Sequence, residues 1–272
     1  MIRDNEILLL DVGGTFIKCS DGRSIPIDSA GSREDIVSSL RTAVGNAGRY
    51  GHVSVAIPGP FDYDNGVFLM KHKFAAVYGE KFADIVGNPD GDFRFIHDIN
   101  CMLLGELASG EGRGCSNVAM VSLGTGLGFS MCVGGQILRN DCGSPAVSIY
   151  NRPFRDGVLE DYASKRGVSS TYERISGKKA PATVKDIADM AAGGDRDALD
   201  AFEEVGRAIG GSIAPILKEY DIQRLLFGGQ ISRSFRFMEK SVNCALKDVP
   251  SLEKVCTISD FDNATFNGLK AL

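Results

Sequence analysis

The sequence predicts an α/β protein built from two related lobes, and three observations carry that reading. Short apolar runs ending in glycine turns alternate with stretches of helical period. One pattern of strand, glycine turn with threonine, strand and glycine hairpin occurs twice, as LLLDVGGTFIKCSDG (8–22) and AMVSLGTGLGFSMCVGG (119–135), which points to a duplicated domain. The 272 residues are also enough for two moderate domains with real cores.

Taken in order, residues 7–10 form a buried strand, Gly13-Gly14 a turn, and 16–19 a second strand. Asp21-Gly22 turns the chain into Ile25 and Ile27. A helix is expected over 33–49, because Ile36, Val37, Leu40 and Val44 share one stripe. The strand 52–57 stops at Pro58-Gly59-Pro60, and Asn65-Gly66 signals another hairpin. A helix near 80–86 leads to a strand over 93–96, with His97-Asp98-Ile99-Asn100 at its C-terminal end. The next helix carries Leu103, Leu104 and Leu107, with Asn100 as its expected N-cap.

The second round repeats the plan: strand 118–123, turn 124–126, strand 128–133, hairpin Gly134-Gly135. Helices follow over about 158–165, 184–192, 198–220 and 235–246. A strand at 224–227, closed by Gly228-Gly229, lies between the last two, and a closing helix spans about 263–272. The expected lobes are residues 1–115 together with a C-terminal helix from about 260 to 272, and residues 116–259.

Composition narrows the function. Hydrophobic residues at 43% and charged residues at 24% fit an ordinary globular protein. Thirty basic against 35 acidic residues leave a net charge of -5, which argues against a nucleic-acid partner, since phosphate neutralisation needs clustered cations. The first apolar run is too short for a signal peptide or a membrane span. Seven cysteines without a CxxC pair predict reduced thiols in a cytoplasm.

The residues able to carry chemistry cluster at the glycine turns. Asp11-Val12-Gly13-Gly14-Thr15, followed by Lys18, would offer backbone N–H groups, a hydroxyl and a cation to phosphate. Asp11 suits such a site if a hydrated Mg²⁺ stands between carboxylate and anion; otherwise it caps an ordinary hairpin. Gly124-Thr125-Gly126-Leu127-Gly128 leads into a strand rather than a helix, so it is no dinucleotide fingerprint. Two such turns could hold the two sides of a triphosphate. Gly228-Gly229 could pack against a flat ligand or simply join strand to helix. Asp98, at a strand end, is either a general base for an attacking hydroxyl or a helix-capping residue.

In order, DVGGTFIK (11–18), IPGPFDYDNGVF (57–68), HDIN (97–100) with LLGE (103–106), and LGTGLGF (123–129) resemble the ROK family of repressors, open reading frames and sugar kinases. The resemblance covers residues 8–164 and returns at LLFGGQIS (225–232). It implies the actin-like ATPase (ribonuclease H-like) fold, with two α/β lobes around a central cleft, and ATP-dependent phosphorylation of a hexose or amino-sugar. On it, Asp11, Gly13, Gly14, Thr15 and Lys18 match the first phosphate motif, with Asp11 holding Mg²⁺ through water. Gly124, Thr125, Gly126 and Gly128 match the second phosphate motif, and Gly228 and Gly229 the adenosine segment. Asp98 matches the catalytic base. Pro58, Gly59, Pro60, His97, Asn100 and Glu160 fall on the sugar side. A homodimer is what the family implies.

Two departures stand out. His97 occupies the place where family kinases usually have Asn. The stretch 144–151, SPAVSIYN, lacks the family's EIGH segment and the cysteine-rich zinc loop, so no zinc is expected. The missing Glu–His pair leaves two further readings: a nucleotide- or sugar-binding regulator without turnover, and an actin-like ATPase without a sugar substrate. A DNA-binding repressor is disfavoured, because the first strand begins almost at the N-terminus.

Overall fold

The computed structural model describes residues 7–45 and 50–272. Contacts divide the chain into two compact units. The first comprises the described residues up to Ala108, with Arg139–Ala146 and Asn263–Leu272; the second is Ser109–Leu138 with Val147–Asp262. The segment 139–146 thus packs with the first unit, although its place in the sequence follows the strands of the second.

The first unit opens on β1 (Ile7–Val12), β2 (Phe16–Cys19) and β3 (Ser24–Pro26), an antiparallel meander. Helix α1 (Arg33–Val44) starts where Ser32 accepts the Asp35 N–H. It ends at Gly45, whose φ of 57° few other residues tolerate. The helix expected to reach 49 therefore stops five residues earlier; 46–49 lie outside the described residues. Strand β4 (His52–Ile57) pairs parallel to β1, the short hairpin β5 (Phe61–Asp62) and β6 (Val67–Phe68) turns at Asn65-Gly66, and a 3₁₀ turn spans Ala75–Val77. Helix α2 (Phe82–Val86), strand β7 (Phe93–His97) and helix α3 (Asp98–Ser109) complete the run.

The sheet order is β3-β2-β1-β4-β7, with β1, β4 and β7 parallel. Its row Asp11–Ala56–Ile96 is followed by the pairing of Ile57 with His97. Asp11 and His97-Asp98 therefore sit at the C-terminal ends of strands two apart, roughly 10 Å from strand to strand. One sheet face buries Leu8, Leu10, Ile36, Leu40 and a cluster of rings including Phe61, Phe68, Phe82 and Phe95. The other buries Leu9, Ala56, Ile96, Cys101 and Leu269.

The second unit repeats the topology. Strands β8 (Val118–Leu123), β9 (Leu127–Val133) and β10 (Gln136–Ile137) form its meander. A small hairpin, β11 (Pro153–Phe154) with β12 (Gly157–Val158), precedes α4 (Leu159–Tyr162), α5 (Lys165–Ser176), α6 (Val184–Ala192) and α7 (Arg196–Glu219). Strand β13 (Arg224–Gly228), a 3₁₀ segment Gln230–Phe237, α8 (Glu239–Leu246) and β14 (Lys254–Thr257) follow, and α9 (Ala264–Lys270) belongs to the first unit. The order β10-β9-β8-β13-β14, with β8, β13 and β14 parallel, matches the first sheet strand for strand. The duplicated turn pattern of the sequence thus marks two copies of one α/β topology.

Three further expectations are corrected. The helix placed at 158–165 is two helices, α4 and α5, separated at Ser164, which caps α5 by accepting the Gly167 N–H. The helix placed at 235–246 begins only at Glu239, after a kinked 3₁₀ segment with Ser234 out of helical geometry. Helix α3 begins at Asp98 rather than after an Asn100 cap. Asn100 lies inside the helix, fully buried, and its Nδ2 donates to the Gly143 carbonyl at 3.3 Å.

Candidate active site

In the first unit, β1 delivers Asp11 and then turns through Gly13 and Gly14. The Gly13 N–H bonds to the Phe16 carbonyl at 2.9 Å, closing the turn. A Cβ on Gly13 would sit 3.0 Å from that oxygen, so the tight turn requires glycine. Among the described residues the N–H groups of Gly14 and Thr15 have no acceptor, leaving two donors for an anion. Lys18 pairs with Asp11 across β1 and β2, so both side chains leave the same sheet face.

Asp98 begins α3 directly after β7. Its Oδ1 accepts His97 Nδ1–H at 2.8 Å and the Ile99 N–H at 2.7 Å, while Oδ2 has no partner among the described residues. The side chain keeps 45% of its surface accessible. Surrounding protein would by itself raise the carboxyl pKa. The His97 charge and hydrogen bond, the Ile99 N–H and the Lys73 charge outweigh it and hold Asp98 below the ordinary carboxylate value. Asp98 is therefore ionised and able to accept a proton. Asp11 goes the other way: burial, reinforced by the Asp98 charge and only partly offset by Lys18, pushes it up to about 6.

Around His97, Tyr63 is buried with its ring 5.8 Å from the imidazole and its hydroxyl donating to the Ile57 carbonyl at 2.8 Å. Burial and the Asp98 charge push the phenol up despite a hydrogen bond with Ser144. Gly59, between Pro58 and Pro60, meets His97 and Ser144 so closely that a Cβ would lie 3.0 Å from Ser144 Oγ. Segment 139–146 supplies both Ser144 and the Gly143 carbonyl that Asn100 binds. Sequence reasoning singled out neither Tyr63 nor Ser144 nor Lys73. Tyr63 stood within a quoted motif, but its role depends on the fold bringing 144 beside 59.

In the second unit, the Gly124 N–H bonds to the Gly126 carbonyl at 3.0 Å, and Gly128 continues β9 opposite Ser122. Glu160 braces this turn: its Oε2 accepts the Leu127 N–H at 2.8 Å and packs where a Cβ on Gly126 would be 2.7 Å away. The resemblance placed Glu160 with the sugar contacts; the structure ties its Oε2 to the second glycine turn. Strand β13 ends in Gly228, and Gly229 follows with φ of 80°, where a Cβ would strike the Leu123 carbonyl at 2.3 Å. Beside these turns lies a cavity of about 520 Å³. Its wall includes Gly124 and Thr125, the apolar Val184, Ile231 and Phe237, and the cation Lys165. With Lys185, Arg233, Arg236 and Asp189 also in the wall, the cavity combines apolar surface with a glycine turn and several cations, a lining that can take a nucleotide.

The donor set also fits a magnesium ion. Asp11 is a hard oxygen ligand whose pKa is raised first by burial and then by the Asp98 charge, and a divalent cation would favour its ionised form. Among the described residues no three His, Cys, Asp or Glu side chains converge to cage a metal, so phosphate oxygens and water would complete its shell, as Mg²⁺ prefers.

Two copies of one α/β topology, each opening on a glycine turn, define a protein of the actin-like ATPase fold. The ROK family profile matches residues 24–146 and 153–270, and the chain belongs to the ROK family. It is 27% identical over 205 residues to the glucokinase of Thermotoga maritima, covering 67% of this chain and 65% of that protein. It is 26% identical over 216 residues to the N-acetyl-D-glucosamine kinase of Pectobacterium carotovorum, covering 72% and 70%. The structure superposes on a ROK family glucokinase from Streptomyces griseus, solved with glucose and AMPPNP, with TM-score 0.75, 22% identity and 97% of each chain covered.

Proposed function

We propose that this protein is an ATP-dependent kinase transferring the γ-phosphate to a hydroxyl of a hexose or amino-sugar, with Asp98 as the general base. The observation that carries the reading is the Asp98 carboxylate: ionised, fixed through Oδ1, and open at Oδ2. A sugar hydroxyl hydrogen-bonded to Oδ2 gives up its proton as its oxygen attacks phosphorus.

The remaining residues divide the work. Gly13, Gly14, Thr15 and Lys18 form one phosphate-binding motif, and Gly124, Thr125, Gly126 and Gly128 a second. Gly228 and Gly229 let the backbone border the adenosine slot. Asp11 would hold the metal, and Mg²⁺ when bound would neutralise phosphate charge. Pro58, Gly59, Pro60, His97 and Asn100 shape the acceptor side, and Glu160, a sugar contact on the resemblance, braces the second glycine turn. Both named relatives act on hexose-type substrates, which supports the acceptor class. Seven free cysteines support a cytoplasmic setting. Among the described residues no helix is long and apolar enough to cross a membrane.

The test is a panel of hexoses and amino-sugars assayed for sugar-dependent ADP formation. Turnover with one of them that disappears in Asp98→Ala upholds the kinase. The absent Glu–His pair favours the second reading, a binding regulator, and ATP binding without sugar-dependent turnover across the panel would establish that instead.

A further inference from the structure

The geometry points to His97 as the positioning residue of Asp98: its imidazole fixes one carboxylate oxygen so that the other meets the acceptor hydroxyl. The inference rests on the kinase reading and concerns a side chain that replaces the family's usual Asn.

An ionised carboxylate only accepts hydrogen bonds, so the 2.8 Å contact requires the proton on Nδ1 of His97. The Ile99 N–H donates to the same Oδ1 at 2.7 Å and makes only a longer second contact, 3.4 Å, with Nδ1, so the carboxylate is its principal acceptor. With both donors on Oδ1, rotation about the broad χ2 of Asp98 is restrained, and Oδ2 is left to the substrate. The imidazole is itself held. Its side chain is 18% exposed, and Tyr63 packs at 5.8 Å. On the Gly59 side a Cβ would come within 3.1 Å of Cδ2 and 3.3 Å of Nε2. A donor locked by its neighbours holds a general base in productive geometry. The charged and titratable groups facing Asp98 are His97, Asp11, Lys73, Tyr63 and Cys101.

The test compares His97→Leu and His97→Asn with wild type, using Asp98→Asn as reference. Readouts are kcat, KM for both substrates, the pH profile of kcat, the melting temperature and ring ¹⁵N shifts of His97. In His97→Leu we expect kcat to fall about 100-fold, the scale of a misaligned reacting group, with KM for ATP unchanged. The acid limb should move to higher pH, because burial then raises Asp98 with only the Ile99 N–H and the Lys73 charge opposing. His97→Asn, whose amide can donate to Oδ1, should recover most of the rate. The ring spectrum should show a protonated Nδ1 that changes in Asp98→Asn.

Wild-type kcat and an unmoved limb in His97→Leu overturn the proposal. So does a raised acceptor KM at unchanged kcat, which would make His97 a plain sugar contact. An Asn variant no better than Leu at wild-type melting temperature overturns it too. If His97→Leu does not fold, His97→Asn and the ring spectrum decide. A wild-type chain without sugar-dependent transfer ends the kinase reading and the positioning role with it. An intact Nδ1–H signal in that case shows that the contact survives and the failure lies in the function.

Discussion

Asp98 and Asp11 stand at the ends of strands two apart in one sheet, and their surroundings push their pKa values in opposite directions. On the proposed reading such a split assigns roles: the carboxylate held ionised by His97, the Ile99 N–H and Lys73 would be the base, and the one raised by burial and the Asp98 charge the cation's partner. Asp98→Ala should therefore abolish transfer while leaving nucleotide affinity nearly unchanged, measured calorimetrically; a collapse of ATP binding would make Asp98 structural. Asp11 also makes a stability prediction. Below its ordinary value near 3.8 it is protonated whether the chain is folded or not. As pH rises through about 6, the folded state must ionise a buried acid, and stability on the order of 3 kcal/mol is lost. In metal-free buffer, Asp11→Asn should match wild type at about pH 3 and exceed it by roughly 2–3 kcal/mol at pH 8 in urea unfolding. Equal midpoints at pH 8 would refute the raised pKa. The residue types of both acids were legible in the sequence. Their opposite environments were not, because Lys73 and Tyr63 reach Asp98 only through long-range packing.

Among the elements, those with a clean apolar period were legible and those without were missed. Strands β1, β4 and β8 are nearly continuous apolar runs, and α6 has the predicted bounds, opened by Thr183, which accepts the Asp186 N–H. Helix α5 escaped because KRGVSSTYERIS buries only Gly167, Val168, Thr171 and Tyr172; Ser164 before it and Gly177 after it were the available signals. The hairpin β11–β12 and the edge strand β14 are too short or too exposed to stand out. The closing helix was visible, but not why it seats so tightly. Gly268 of α9 faces α3, and a Cβ there would fall 1.8 Å from the Cys101 carbonyl. A Cβ on Gly105 would in turn meet the Gly268 nitrogen at 2.8 Å. Backbone against backbone leaves nothing flexible to yield, so Gly268→Ala should lower stability by about 1–3 kcal/mol in urea unfolding. Unchanged stability would mean that α9 can shift without loss.

For the whole molecule, the repeated topology predicts that nucleotide and acceptor functions can be broken separately, and Gly124 offers the cleanest break. Most glycines of the phosphate motifs serve the fold as well as the ligand. Gly14 faces Ser29 Oγ at 3.2 Å, Gly126 faces Glu160, and Gly229 has both a positive φ and the Leu123 backbone against it. A bulky residue at any of these disturbs the protein before it touches ATP. Gly124 has nothing within 4 Å of the Cβ position, its φ is not positive, and it lines the 520 Å³ cavity. Gly124→Val should therefore fold with nearly wild-type stability while its branches fill space the nucleotide needs. At an ATP concentration 100 times the wild-type Kd, binding stabilises the native protein by about 2.7 kcal/mol, and this increment should largely vanish in the variant. Asp98→Ala should keep it, since the proposed base acts on the acceptor. Thermal unfolding of the three proteins with and without MgATP measures the contrast. A Gly124→Val protein that retains the full ATP-induced shift would remove the second glycine turn from the nucleotide site.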